Sequence, residues 1–205
     1  MRNLLISSCI LMVCGCASSP YLFLSDQNNQ PDCLNYLVPK FDKILYNAQI
    51  NVTGKHLSGL LIFKTMPDKT IRTVFTNEAG LTFFDFEFAE NNFKVVYCMN
   101  KLNRKPVINQ LKKDLGLIIR YQMQEKPQLI KSGNNELYFG YTRNKETMWY
   151  ITPGDCSEIT RIETASKRKK KIIVTVSGYN TTLPDTVYLE HQAFEFNISL
   201  QKIEN

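Results

Sequence analysis

Residues 70–88, TIRTVFTNEAGLTFFDFEF, decide the fold. They hold two runs rich in β-branched and aromatic residues, 70–77 and 81–88, split by the turn-forming Asn-Glu-Ala-Gly at 77–80. Side chains alternate along a strand. In the second run Phe84, Phe86 and Phe88 therefore share one face, while Leu81 and Phe83 share the other with Asp85 and Glu87. The pair reads as an antiparallel hairpin, apolar on one side and mixed on the other, so its second face needs partial cover.

The pattern continues in both directions. Strands are expected at 44–52 and 56–65 before the hairpin and at 92–99 after it, with brief turns at Pro67-Asp68-Lys69 and Glu90-Asn91-Asn92. One helix is expected over 105–115. Pro106 suits a first turn, Val107, Ile108, Leu111 and Leu115 recur at three- and four-residue spacing, and Gly116 is placed to end it. Strands then resume at 127–132, 136–143, 146–152, 157–164, 171–177, 185–191 and 194–203. The last alternates cleanly, with Phe194, Phe196, Ile198 and Leu200 against Glu195, Asn197, Ser199 and Gln201. The fold class is mainly β (α+β): a strongly curved antiparallel sheet, or unclosed β-barrel, of about eleven or twelve strands with one or two helices on its concave face.

The N-terminus is of a different kind. Arg2 precedes an apolar run, Leu4 to Val13, that is too short to span a bilayer, and small residues follow it. That is the layout of a secretory signal. Its end, Val13-Cys14-Gly15-Cys16, resembles the bacterial lipobox, although Cys14 stands where Ala or Ser is commoner. By that resemblance Cys16 is acylated and becomes the mature N-terminus, and two or more chains make a stable anchor. The chain divides into a signal at 1–15, a lipidated N-terminus and tether at 16–42, and one domain at 43–205. Within the tether Tyr21, Leu22, Phe23 and Leu24 either dock on the domain or lie at the membrane interface.

Composition bounds the function. The formal charge is +6, or +5 once Arg2 is removed with the signal. That is too modest to argue for nucleic acid, and export excludes it. No phosphate loop, His-Glu-x-x-His, Cys-x-x-Cys or Gly-x-Ser-x-Gly is present, so neither a metal, a cofactor nor an enzymatic reaction is expected. His56 and His191 read as polar strand-edge residues. Asp85 and Glu87 read as solvent face. Cys33, Cys98 and Cys156 follow Cys16; either Cys33 and Cys156 bridge and Cys98 is buried, or all three are free thiols.

Three stretches, 54–88, 93–99 with the helix after it, and LPDTVYLEHQAFEFNISLQKI at 183–203, resemble the LolA/LolB-like group of envelope proteins and similar Bacteroidota lipoproteins. The resemblance implies an unclosed β-barrel whose concave side binds acyl chains or a lipidated partner, on the periplasmic face of the outer membrane, with the inner membrane and the cell surface as alternatives; a monomer is expected. Leu61, Phe63, Phe84, Phe86, Val95, Tyr97, Leu111 and Leu115 then line a lipid cavity, or they simply pack as a core. Leu81, in the 77–81 turn, is the expected membrane-inserting residue. Lys167, Arg168, Lys169, Lys170 and Lys171 form either a headgroup contact or a solvated hairpin tip that discourages edge pairing. The competing reading is a structural or assembly lipoprotein with a self-filled core that binds another envelope protein.

Overall fold

The computed structural model describes residues 19–27, 38–52, 54–90, 92–121, 126–178 and 183–203. Its strands are β1 (Ser25–Asp26), β2 (Lys43–Val52), β3 (Lys55–Thr65), β4 (Ile71–Thr76), β5 (Thr82–Ala89), β6 (Asn92–Cys98), β7 (Leu129–Gly133), β8 (Glu136–Arg143), β9 (Glu146–Pro153), β10 (Arg161–Ala165), β11 (Lys170–Ser177), β12 (Thr186–His191) and β13 (Phe196–Lys202). One helix, α1 (Lys105–Ile118), separates β6 from β7. The strands form a single antiparallel sheet in the order β1-β7-β8-β9-β10-β11-β12-β13-β2-β3-β4-β5-β6. The sheet is strongly curved and does not close, so the expected fold class is the observed one.

Local chemistry explains the hairpins. Asn134-Asn135 and Asn144-Lys145 are two-residue turns with all four φ values positive, the geometry that matches strand twist. Gly80, at φ +82, closes the β4–β5 turn, where the Leu81 N–H donates to Asn77 Oδ1 at 2.7 Å.

Two β-bulges depart from simple alternation. Phe75 pairs with Phe84 and Thr76 with Thr82, which leaves Phe83 unopposed. Phe86 pairs with Val95 and Asp85 with Tyr97, which leaves Val96 unopposed. A bulge inserts one residue and reverses the facing beyond it. Phe83 therefore joins the core at 8% exposure instead of sharing the outer face with Asp85 and Glu87.

The helix runs three residues past Leu115. Gly116 does not end it; the last turn closes with the Ile119 N–H on the Leu115 carbonyl. Leu111 and Leu115 face the interior, where one large cluster draws on α1 and on β2–β6 and β8–β13. Strand β9 is buried on both faces. Met148 and Tyr150 belong to this interior, while Trp149 and Ile151 point to the convex side.

There a second, small core forms. Tyr21 and Leu24 cover Tyr138, Trp149, Ile151 and Ala165. Tyr21 packs on Trp149 with ring centroids 5.1 Å apart, and β1 pairs with β7. The segment expected to be tether is thus part of the fold from Ser19 to Gln27. Gly140 of β8 makes room for this arrangement, since a Cβ there would meet the Trp149 ring at 2.7 Å.

Candidate functional site

The expected cavity lining separates into three groups. Leu61, Phe63, Phe84, Phe86, Leu111 and Leu115 are all 5% exposed or less and lie in one contiguous cluster. Phe84 and Phe86 stack at 4.5 Å, and Tyr46 meets Phe63 edge-on at 5.9 Å. Val95 is half-buried against that cluster. Tyr97 is not part of it: the Val96 bulge turns it to the opposite face, where it is 47% exposed. The interior these residues were expected to line is occupied by their own side chains.

One hollow lies beside the helix. A crevice of about 520 Å³ runs between α1 and two separate parts of the sheet. Phe88, Ala89 and Phe93 of β5 and β6 form one wall. Arg143 and Asn144 of the β8–β9 turn, with Glu146 and Met148 of β9, form the other. Asn109, Lys112, Lys113 and Gly116 of α1 form the floor, and Tyr121 closes one end.

The helix is fastened to both walls. The Lys112 Nζ sits 5.0 Å from the Phe93 ring centroid, a favourable cation–π distance. The Tyr121 hydroxyl donates to the Ala89 carbonyl, and Lys113 pairs with Glu146. Lys171 pairs with the second oxygen of Glu146. Partial burial pushes the Glu146 carboxyl up, but the hydrogen bonds and charges of Lys113 and Lys171 outweigh it and hold the group below its ordinary value. Phe88 and Phe93 meet edge-on at 5.1 Å. The result is a cleft of mixed lining, in which Phe93 lies among Lys112, Lys113 and Arg143 together with Glu90, Asn92 and Glu146.

A second attachment of α1 escaped the sequence reading. His191, at the end of β12, contacts buried Asp114, and Gln110 Nε2 donates to the same carboxylate at 2.9 Å. His191 is also packed against Phe194 and Phe196. The residues stand 77 positions apart, and only the sheet order brings them together. His56 behaves as expected, meeting Asn51 Oδ1 at 2.7 Å on an exposed edge. Asp85 and Glu87 do lie outward, where Arg72 pairs with them at 2.5 and 3.6 Å.

The basic run is divided. Lys167, Arg168 and Lys169 form the exposed β10–β11 turn. Lys170 and Lys171 belong to β11 and are committed within the protein, Lys170 to Glu163 at 2.8 Å and Lys171 to Glu146. Glu163 also accepts from Tyr21 Oη at 2.6 Å and Arg161 Nε at 2.7 Å. Burial raises its pKa, while Lys170, Tyr21 and Arg161 lower it further than burial lifts it. The same contact, with burial first, drives the Tyr21 phenol upward. Leu81 is 51% exposed.

Cys16 and Cys33 lie outside the described residues. Cys156 is disulfide-bonded, and Cys98 is a buried free thiol. Among the described residues no cluster of metal-ligating side chains occurs, and no helix is long and apolar enough to cross a membrane.

A curved, unclosed antiparallel sheet with a helix packed inside it is the class that the described residues define. Among solved structures the chain is similar to a DUF1329 family protein from Desulfovibrio piger. The identity is 10% and the TM-score 0.45, over 84% of this chain and 89% of that one. No family model matches the chain, and no curated protein matches it.

Proposed function

We propose that the chain is a lipid-anchored envelope protein that holds the acyl chain of an anionic amphiphile in the crevice beside α1. In this reading it is tethered through acylated Cys16 to the periplasmic face of the outer membrane, and it carries out no chemical reaction. The crevice carries the proposal. Its volume of about 520 Å³ lies within the usual ligand-pocket scale of roughly 300–1,000 Å³. Phe93 offers apolar surface, with the buried Phe88 and Met148 behind it, and Lys112 and Arg143 offer positive charge beside it. An acyl chain gains about 0.8 kcal/mol per buried methylene, and a carboxylate or phosphate at its end meets the cations. The cargo sits beside the helix, because the interior expected to hold it is filled.

One observation favours the second reading, an assembly lipoprotein that binds another envelope protein. The barrel interior is packed by its own aromatic rings, with Phe63, Phe75, Phe86 and Tyr150 fully buried.

Uptake of a fluorescent fatty acid by unacylated Cys16→Ser protein, with native mass spectrometry of the purified protein, separates the two. A saturable one-to-one complex, competed by unlabelled fatty acid, supports carriage. No uptake and no co-purifying lipid would leave the assembly reading. Palmitate labelling of the wild type but not of Cys16→Ser tests the anchor separately.

A further inference from the structure

Within the N-terminal turn, four consecutive apolar residues are used in two opposite ways. Tyr21 and Leu24 are buried at 7% each, whereas Leu22 and Phe23 are 72% and 56% exposed. No other large apolar side chain among the described residues is as exposed as these two. The turn that presents them is fixed. The Leu22 N–H donates to the Ser19 carbonyl and the Leu24 N–H to the Tyr21 carbonyl, both at 3.3 Å. Tyr21 Oη is tied to Glu163, and the Gln27 N–H donates to the Ile130 carbonyl at 2.8 Å.

Cations lie beside Leu22. Leu22 shares a hollow of about 300 Å³ with Lys131, Lys145, Lys167 and Trp149. Lys131 is paired with Asp26 at 2.9 Å. Lys145 and Lys167 have no ion-pair partner among the described residues, and Arg168 and Lys169 are exposed in the same turn as Lys167. Exposed apolar side chains held rigidly beside unneutralised cations suit the boundary between headgroups and acyl chains. Each cation near an anionic surface adds attraction that falls off within a Debye length.

Chain length points the same way. Cys16 precedes Ser19 by three residues, a reach of at most roughly 11 Å when fully extended. An acyl group on Cys16 therefore holds this face, and not the far side of the sheet, against the bilayer. We propose that the Leu22–Phe23 turn, with Lys145, Lys167, Arg168 and Lys169, seats the domain on an anionic lipid bilayer. The orientation rests on the anchored reading above. The surface itself does not require it.

This replaces Leu81 as the inserting residue. Leu81 immediately precedes β5, and in sheet order β5 is seven strands from β10, or roughly 34 Å along the sheet at about 4.8 Å per strand.

The test uses the chain from residue 16 with Cys16→Ser, which retains every described residue and carries no acyl chain. It is sedimented with vesicles of phosphatidylcholine alone or mixed with phosphatidylglycerol. Binding to the mixed vesicles is expected, weakening as salt rises. The Leu22→Asp/Phe23→Asp pair and the Lys145→Glu/Lys167→Glu pair should each lose at least about tenfold in partitioning, whereas Leu81→Asp should bind as the parent does. Circular dichroism and urea midpoints verify that each variant is folded. The proposal is overturned if the parent chain stays in the supernatant, if folded Leu22→Asp/Phe23→Asp binds undiminished, or if Leu81→Asp alone abolishes binding. Because this chain is unacylated, the outcome is independent of palmitate labelling at Cys16 and of fatty-acid uptake by the crevice.

Discussion

His191 Nε2 lies 3.2 Å from both carboxylate oxygens of Asp114, joining the end of β12 to the middle of α1. Asp114 is fully buried and also accepts from Gln110. Replacing it by Ala leaves the His191 ring nitrogen and the Gln110 amide without their acceptor. Asp114→Ala should therefore destabilise the protein by about 2–3 kcal/mol, read as a lower urea midpoint with an unchanged slope. Asp114→Asn keeps an acceptor and should lose less. A midpoint for Asp114→Ala equal to the wild type would show that the pair does not fasten the helix.

Acid should loosen the same assembly at other points. The folded pKa values of Glu146 and Glu163 lie below the ordinary carboxyl value of about 4.5, because their ammonium and guanidinium partners outweigh burial. A depressed folded pKa contributes stability that is fully present above the unfolded value. It is lost as pH falls through the folded value. Stability should hold from neutrality to about pH 5 and decline below it. Glu163→Gln should be less stable at pH 7 and show a shallower acid decline. Urea titrations across pH measure both. Equal acid slopes for variant and wild type would remove Glu163 from the account.

Cys156 and Cys98 differ in state, which makes the redox framework testable. Cys156 is bridged and Cys98 is free. Cys33 is the expected partner of Cys156. Peptide mapping under non-reducing conditions should recover one cross-linked pair containing Cys33 and Cys156, with Cys98 alkylated only after unfolding. Cys156→Ser should cost about 2–4 kcal/mol. A map linking Cys156 to Cys98 would overturn the assignment.

Strands β2–β13 were legible in the sequence because each hairpin carries turn residues and each strand an apolar face. β1 was not. Two residues carry no periodicity, and Ser25-Asp26 pairs only because Tyr21 and Leu24 dock beside it. The faces of Phe83 and Tyr97 were misread for one reason: a bulge leaves no mark on a pattern of alternating residues. The helix overran Gly116 because Leu117, Ile118 and Ile119 are buried, and that burial offsets the roughly 1 kcal/mol cost of a helical glycine. Neither the crevice nor the Asp114–His191 contact could be read. Both depend on which distant parts of a curved sheet meet the helix, and that is a property of the sheet's curvature rather than of local sequence.

The crevice makes a prediction about charge. Lys112 stands over Phe93 and lines the cleft, and Arg143 lines it from the β8–β9 turn. If a chain lies along Phe88, Phe93 and Met148 with its anionic end at these cations, Lys112→Glu should weaken binding of a fatty acid by roughly 10-fold while leaving a fatty alcohol of equal length nearly unaffected. Phe93→Asp should weaken both ligands, since it removes apolar surface common to them. Lys112 is exposed at the helix surface, so its substitution should shift the urea midpoint little beyond the cation–π contribution of about 0.5–1 kcal/mol. Fluorescent-probe displacement with the two ligands gives the comparison directly. Equal loss of acid and alcohol on Lys112→Glu would mean that the cations do not read the headgroup. Binding untouched by Phe93→Asp would mean that the ligand is not in this crevice.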